Sequence, residues 1–152
     1  MLDSWSWTWG LCLIVLTTAI HSLGIVLMSI AGVRIRARLK RRRVAFWQGV
    51  AILTCLIAAI GLSLAVLHGI EAALWASAYL ALGALDTTTE AMLFSLDSMT
   101  TRGASGLALH QHWQIMGALE AVAGMLMFGI STAYIFAVMQ LYWPLLQAIR
   151  QQ

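Results

Sequence analysis

Two uninterrupted apolar stretches, each long enough to cross a bilayer, constrain this sequence more than any other feature. They cover about residues 9–33 and 44–67, and a third apolar stretch follows at about 113–140. Each exceeds the roughly 20 residues that a helix needs to cross the hydrocarbon. Only 10% of the residues are charged, against about 25% in a typical soluble domain. The sequence therefore predicts an all-α membrane protein with three transmembrane helices in a single membrane domain.

The first apolar stretch lies at the N-terminus, where a signal peptide is the competing interpretation. The segment before it contains Asp3 and no Lys or Arg, whereas a signal peptide begins with positive charge. Trp5, Trp7 and Trp9 are instead typical of an aromatic belt at the membrane interface. We therefore expect this stretch to be retained as the first transmembrane helix.

A basic run between the first two stretches, Arg34–Arg43, predicts the topology. It holds seven of the nine Lys and Arg residues, and a short loop rich in them usually stays in the cytoplasm. The expectation is a cytoplasmic loop, an outside N-terminus and a cytoplasmic C-terminus in a multi-pass protein of the inner (plasma) membrane. The run is also expected to contact anionic lipid headgroups, with a regulatory lipid sensor as the alternative. No nucleic-acid partner is expected.

The segment 68–85 is apolar, but it is shorter than the roughly 20 residues that a transmembrane helix needs, and it includes Glu71. A carboxylate in lipid must be paired or neutral, so the segment predicts a short cap or interfacial helix on the outer side. A fourth, short span is the rival interpretation.

The segment between Asp86 and Trp113 carries the most functional information. A hydroxyl residue three positions before Glu90 is typical of a helix N-terminus and predicts a short helix at about 87–99. A turn-forming, glycine-containing loop at 100–106 follows, and then the third apolar stretch. This order fits a re-entrant pore helix and loop, because non-helical backbone at membrane depth must be covered by protein or water. An ordinary extracellular loop with a surface helix fits the same spacing.

Three fragments of the chain together form a recognisable pattern. The first is Phe94-Ser95-x-x-x-Met99-Thr100-Thr101-x-Gly103, the second is Phe128-Gly129-Ile130-Ser131-Thr132-Ala133 in the last helix, and the third is Trp75-Ala76-x-x-Tyr79-x-x-x-Gly83-Ala84. Together they resemble the pore module of bacterial ion channels of the potassium-channel superfamily, especially the small two-pore-domain-like proteins. At the first fragment that family has Tyr-Phe-Ser and then Thr-Thr-x-Gly-Tyr-Gly-Asp. The resemblance covers about residues 68–140.

This resemblance implies a homotetramer that passes small inorganic ions passively, since each chain has one pore loop and the pore needs four. The final helix would line the inner cavity, and Gly124 and Gly129 are candidate hinges, with close helix packing as the alternative. The residues implied at the pore are Thr100, Thr101, Arg102, Gly103, Ala104, Ser105 and Gly106.

The loop departs from the family pattern at four positions. Arg102 stands in place of Val, Ala104 of Tyr, Ser105 of the second Gly, and Gly106 of Asp. Four copies of Arg102 at one axis would oppose cations unless each is paired with an acid, and facing the pore they would favour anions or close it. The candidate partners of Arg102 are Glu71, Glu90, Asp97 and Glu120. Altered or lost potassium selectivity is therefore expected.

The remaining polar residues predict structure rather than chemistry. His68 and Glu71 have the spacing of a helical pair, and His21 is expected to hydrogen bond to a neighbouring helix. His110 and His112 do not share a helix face and are expected at the solvated surface. No cofactor, metal or catalytic site is expected, and the chain is not expected to be an enzyme. Two functions remain open: a conducting pore, or a non-conducting channel-like scaffold or sensor subunit.

Overall fold

The computed structural model describes residues 3–40, 45–103 and 106–150, and all its regular elements are helical. They are α1 (Asp3–Lys40), α2 (Phe46–Ala81), α3 (Thr88–Met99), a short 3₁₀ helix (Gln111–Trp113) and α4 (Gln114–Arg150). Three of these helices are long and apolar enough to cross a membrane, over Ser4–Ala37, Phe46–Ala81 and Gln114–Ala148. The prediction of an all-α protein with three membrane-spanning helices is confirmed at this level.

Helix α1 continues into the basic run, where a loop is expected from the sequence. Residues 34–40 form its last turns, because Arg, Lys, Ala and Leu are good helix formers and neither Gly nor Pro interrupts them. Arg41, Arg42 and Arg43 lie outside the described residues.

Helix α2 also differs from expectation, since it passes through residue 67 without a break. The expected separate cap helix at 68–85 forms the last part of one 36-residue helix, which at about 1.5 Å per residue is about 54 Å long. It ends where Gly83 adopts a left-handed φ of 64°. Gly83 N donates to Leu80 O at 3.1 Å and Ala84 N to Tyr79 O at 2.8 Å, which is a Schellman cap.

The chain forms two compact units, each with its own apolar core. The first unit consists of the described parts of 1–22 and 67–129, and the second of 23–66 and 130–152. Buried aromatic and aliphatic side chains, including Trp75, Tyr79 and Phe94, form the core of the first unit. Ile60, Leu64, Val138 and Tyr142 form the core of the second.

In the first unit, the beginnings of α1 and α4 lie at the same end. The Met116 backbone N–H donates to Ser6 Oγ at 3.0 Å, and this satisfies a donor that the first turn of a helix leaves open. Further along both helices, a Cβ on Gly10 would lie 2.5 Å from Leu119 Cδ1. The two helices therefore run in the same direction, and α1 begins beside the start of α4.

Candidate functional site

Helix α3 begins at a side-chain cap, as the sequence predicts. Thr87 is extended (φ −122°, ψ 149°), and its hydroxyl accepts a hydrogen bond from Glu90 N at 3.2 Å. The same hydroxyl donates to the Glu90 carboxylate at 2.9 Å. Glu90 is thereby used at the helix N-terminus, where its negative charge is favourable.

The loop after α3 begins as a helix cap rather than as an extended strand. Thr101 N donates to Ser98 O and Arg102 N donates to Asp97 O, both at 3.0 Å. These are the two hydrogen bonds of a Schellman cap, with Thr101 at a φ of 56°. A β-branched residue seldom adopts this left-handed conformation, and here the two backbone hydrogen bonds of the cap accompany it.

The rest of the predicted pore loop is described in part. Gly103 and Gly106 have φ values of 80° and 79°, which fit glycine. Ala104 and Ser105 lie outside the described residues. The exposed positions of this loop include Thr100, Thr101, Arg102, Gly103 and Gly106.

Helix α3 packs lengthwise against the first half of α4. A Cβ on Gly117 would lie 3.0 Å from the Phe94 ring, and a Cβ on Gly124 would lie 2.3 Å from Met99 O. Phe94, earlier in α3, contacts Gly117, earlier in α4, and Met99, later in α3, contacts Gly124, later in α4. The two helices therefore run in the same direction. Packing accounts for Gly124, one of the two hinge candidates. None of the residues that the structure describes lies within 4 Å of a Cβ on Gly129, and its hinge role remains a prediction.

A buried polar cluster connects α3 to both neighbouring helices. Glu120 on α4 receives a hydrogen bond from Tyr79 of α2 at 2.6 Å and is also bonded to Ser95 of α3. Ser95 Oγ lies 2.8 Å from Ala72 O as well. A hydroxyl carries one proton, so Ser95 donates to one of these two oxygens at a time. All three side chains of the cluster are fully buried.

Arg102 pairs with one of its four predicted partners. Its guanidinium lies 2.5 Å from the Asp97 carboxylate, whose side chain is 5% exposed, while the Arg102 side chain is 66% exposed. The other three candidates have other partners: Glu90 bonds to Thr87, Glu120 bonds to Tyr79 and Ser95, and Glu71 bonds to His21 and lies 3.1 Å from His68. The charge of Arg102 is thus balanced from within its own chain.

Two histidines and Glu71 form a second buried cluster, between α1 and α2. His21 Nδ1 lies 2.9 Å from Glu71 Oε1 and His68 Nδ1 lies 3.1 Å from Oε2. The helical pair of His68 with Glu71 and the hydrogen bond of His21 to another helix are confirmed. Their convergence was not predicted, because His21 is 50 positions from Glu71 and spacing on one helix says nothing about another.

No family model, curated protein or solved structure matches this chain.

Proposed function

We propose that this chain is one subunit of a channel-like membrane pore, in which α3 and the loop at 100–106 form a re-entrant element. The pore passes small inorganic ions passively, without the selectivity of a potassium channel. The observation that carries the proposal is the contact between the Met99 backbone and Gly124, because it sets the end of α3 beside Gly124 and away from the start of α4.

The depth follows from the helix rise. Gly124 lies ten residues after Gln114, the first residue of α4, which at about 1.5 Å per residue is about 15 Å along the helix. The hydrocarbon core is about 30 Å thick. With Gln114 placed at the outer edge of the hydrocarbon, the end of α3 and the start of the loop lie at roughly the middle of the membrane.

The chain then returns to its starting level before α4. His110 N lies 3.5 Å from Ala84 O, in the connection between α2 and α3. The descent by α3 and the return by a non-helical segment support a re-entrant hairpin. They speak against a surface helix in an ordinary extracellular loop.

A loop at this depth must be shielded from lipid by protein or by water. Arg102 is 66% exposed, and a charged group facing lipid at mid-membrane is costly. Irregular backbone at this depth is tolerated only against protein or a water-filled cavity. Neighbouring copies of the chain would cover the loop with protein, and an aqueous path between them would supply water. The resemblance to pore-loop channels implies four copies.

The loop supports weak or altered selectivity. A potassium filter needs an extended run of backbone carbonyls that replace the hydration shell of the ion, yet the loop at 100–106 begins as a helix cap with Thr101 at a left-handed φ of 56°. Each Arg102 is paired with Asp97, which reduces the positive charge that a ring of four would present. The proposed path therefore passes ions with little preference among cations and is not closed to anions.

The test is ion flux through purified protein in liposomes, with potassium, sodium and chloride measured separately. Flux above protein-free liposomes is expected for the native sequence. Gly124→Leu should reduce it, since the side chain would displace Met99, whereas a Cβ at the control position, Gly61 on α2, has no described atom within 4 Å, and Gly61→Leu should leave the flux unchanged. No movement of any ion across a range of voltage and pH would overturn the proposal. That outcome would favour a non-conducting channel-like scaffold or sensor subunit.

A further inference from the structure

Three side chains with metal-binding atoms converge inside the first unit. His21 comes from α1, and His68 and Glu71 come from α2, one turn apart on the same helix face. One ligand atom from each lies within 4.8 Å of the others. The two imidazole rings are 5.0 Å apart between centroids, and Phe128 stacks on the His68 ring at 5.1 Å.

The cluster is shielded on most sides. His21 and Glu71 are fully buried, and the His68 side chain is 18% exposed. A carboxylate removed from water needs a compensating charge or hydrogen bonds to both oxygens. The only approach from outside among these three side chains is beside His68.

We propose that this cluster binds a divalent transition-metal ion, with Zn²⁺ as the best match. Two imidazoles and one carboxylate form a three-ligand set that zinc uses when its fourth position stays open. Zinc bonds of about 2.0–2.2 Å in a tetrahedron place donor atoms about 3.3–3.6 Å apart. The two nitrogens approach different oxygens of Glu71, at 2.9 and 3.1 Å, and the three ligand atoms lie within 4.8 Å of one another. Side-chain shifts of about an ångström would therefore bring them to zinc distances. Calcium and magnesium prefer oxygen ligands, so the nitrogen donors disfavour them.

An unsatisfied oxygen favours the ion over a network of hydrogen bonds alone. Glu71 Oε2 is buried and accepts no hydrogen bond among the described residues, although His68 Nδ1 is 3.1 Å away. The Thr18 hydroxyl, one helical turn before His21, is also buried with no hydrogen-bond partner in that part of the structure. A bound ion would engage Glu71 Oε2, and Thr18 adds a polar oxygen on the same face of α1.

The ion would join α1 to α2 within the first unit. Ligands from two helices are then held by one centre, which raises the energy needed to separate them. This role does not depend on whether the chain conducts ions. Failure of the flux experiment therefore leaves the metal proposal standing, and the reverse is also true.

The test uses the whole chain, purified in detergent, treated with a chelator and titrated with Zn²⁺ against a chromophoric competitor. One ion per chain is expected. His21→Gln and Glu71→Gln should weaken binding by more than the roughly 10- to 100-fold that follows loss of an outer hydrogen-bond partner. The control is His110→Gln with His112→Gln, since both of these histidines are exposed. It should bind as the native chain does.

A second measurement separates metal ligation from loss of folding. Co²⁺ bound to the native chain should give the visible absorption bands of four-coordinate cobalt. His68→Cys keeps a ligand in place, so binding should persist and a sulfur-to-cobalt charge-transfer band should appear. Absence of stoichiometric binding to the native chain would overturn the proposal. So would native-like affinity in His21→Gln and Glu71→Gln, or a cobalt spectrum that His68→Cys leaves unchanged.

Discussion

The three buried carboxylates of the first unit each have a polar partner, and these pairs determine how its elements are held together. Glu71 bonds to His21 and Glu120 bonds to Tyr79, in both cases across helices, while Asp97 pairs with Arg102. A buried ionised group without a partner would be strongly unfavourable. These acidic residues, although they lie in apolar sequence, are therefore the ones that bond neighbouring elements to each other.

Removal of the Tyr79 hydroxyl should destabilise the protein. Tyr79→Phe leaves one oxygen of the fully buried Glu120 carboxyl without its donor, and such a loss costs about 1–3 kcal/mol. The measurement is the midpoint of thermal unfolding in detergent, which should fall. Tyr134→Phe, a phenol lost from a half-buried site on α4, is the matched control. Equal midpoints for the two variants would show that the Tyr79–Glu120 bond contributes little.

Replacement of Arg102 should change which ions pass. Arg102→Gln removes a positive charge from the loop, and the negative charge of Asp97 is then no longer balanced by Arg102. The ion permeability should therefore shift towards cations. The measurement is the reversal potential in a potassium chloride gradient. Arg34→Gln removes the same charge from the end of α1 and should have no effect. An unchanged reversal potential in Arg102→Gln would place this side chain away from the ion path.

The sequence predicts those side-chain pairs whose two residues lie close together along the chain, and it does not predict the distant ones. The pairing of His68 with Glu71 follows from helical spacing, and Asp97 is among the candidates for Arg102. Bonds between helices, such as Ser95 to Glu120 across 25 positions, do not follow. They depend on how each helix is rotated about its axis, and no periodicity within one helix encodes that.

At the scale of elements, helix ends are set by local caps rather than by where apolar sequence stops. Thr87 begins α3 and Gly83 ends α2, and both residues have sequence patterns typical of caps. Near residue 67 the sequence becomes more polar but contains no helix cap, and α2 continues past this point to Ala81. Apolar stretches predict that spanning helices exist, while caps predict where they begin and end.

The contact between α3 and α4 should tolerate no added methyl group. Gly124→Ala places a Cβ 2.3 Å from Met99 O, and relief of such overpacking typically costs about 1–3 kcal/mol. The thermal midpoint should therefore fall. Gly129→Ala has no atom within 4 Å of its Cβ and should be neutral, or slightly stabilising because alanine favours helix. A fall in Gly129→Ala as large as in Gly124→Ala would refute the packing explanation.

At the scale of the whole molecule, topology can be tested by single cysteines. In a background with Cys12→Ala and Cys55→Ala, Trp5→Cys and His112→Cys should be labelled by a membrane-impermeant reagent from outside. They share a side because α1 and α4 begin at the same end of the first unit. Ala45→Cys, beside the basic run, should be labelled only from the cytoplasm. Labelling of Trp5→Cys and His112→Cys from opposite sides would contradict this topology.

Assembly is the property on which the pore proposal depends most. The described part of the chain has three helices long and apolar enough to cross a membrane, and its first unit leaves Thr101 and Arg102 exposed. In the proposed re-entrant position hydrocarbon would not satisfy these groups, so other copies and enclosed water would have to surround them.

We therefore expect native mass spectrometry in a membrane mimetic to give four times the chain mass of 16.6 kDa. Counting of photobleaching steps in lipid at low density should also give four. Gly124→Leu should lower the share of tetramers relative to the native chain, since it displaces α3 and the loop that lie between copies in the proposed assembly. Monomers in every lipid and at every concentration would leave the loop exposed to hydrocarbon, and a re-entrant position for α3 would then be physically untenable.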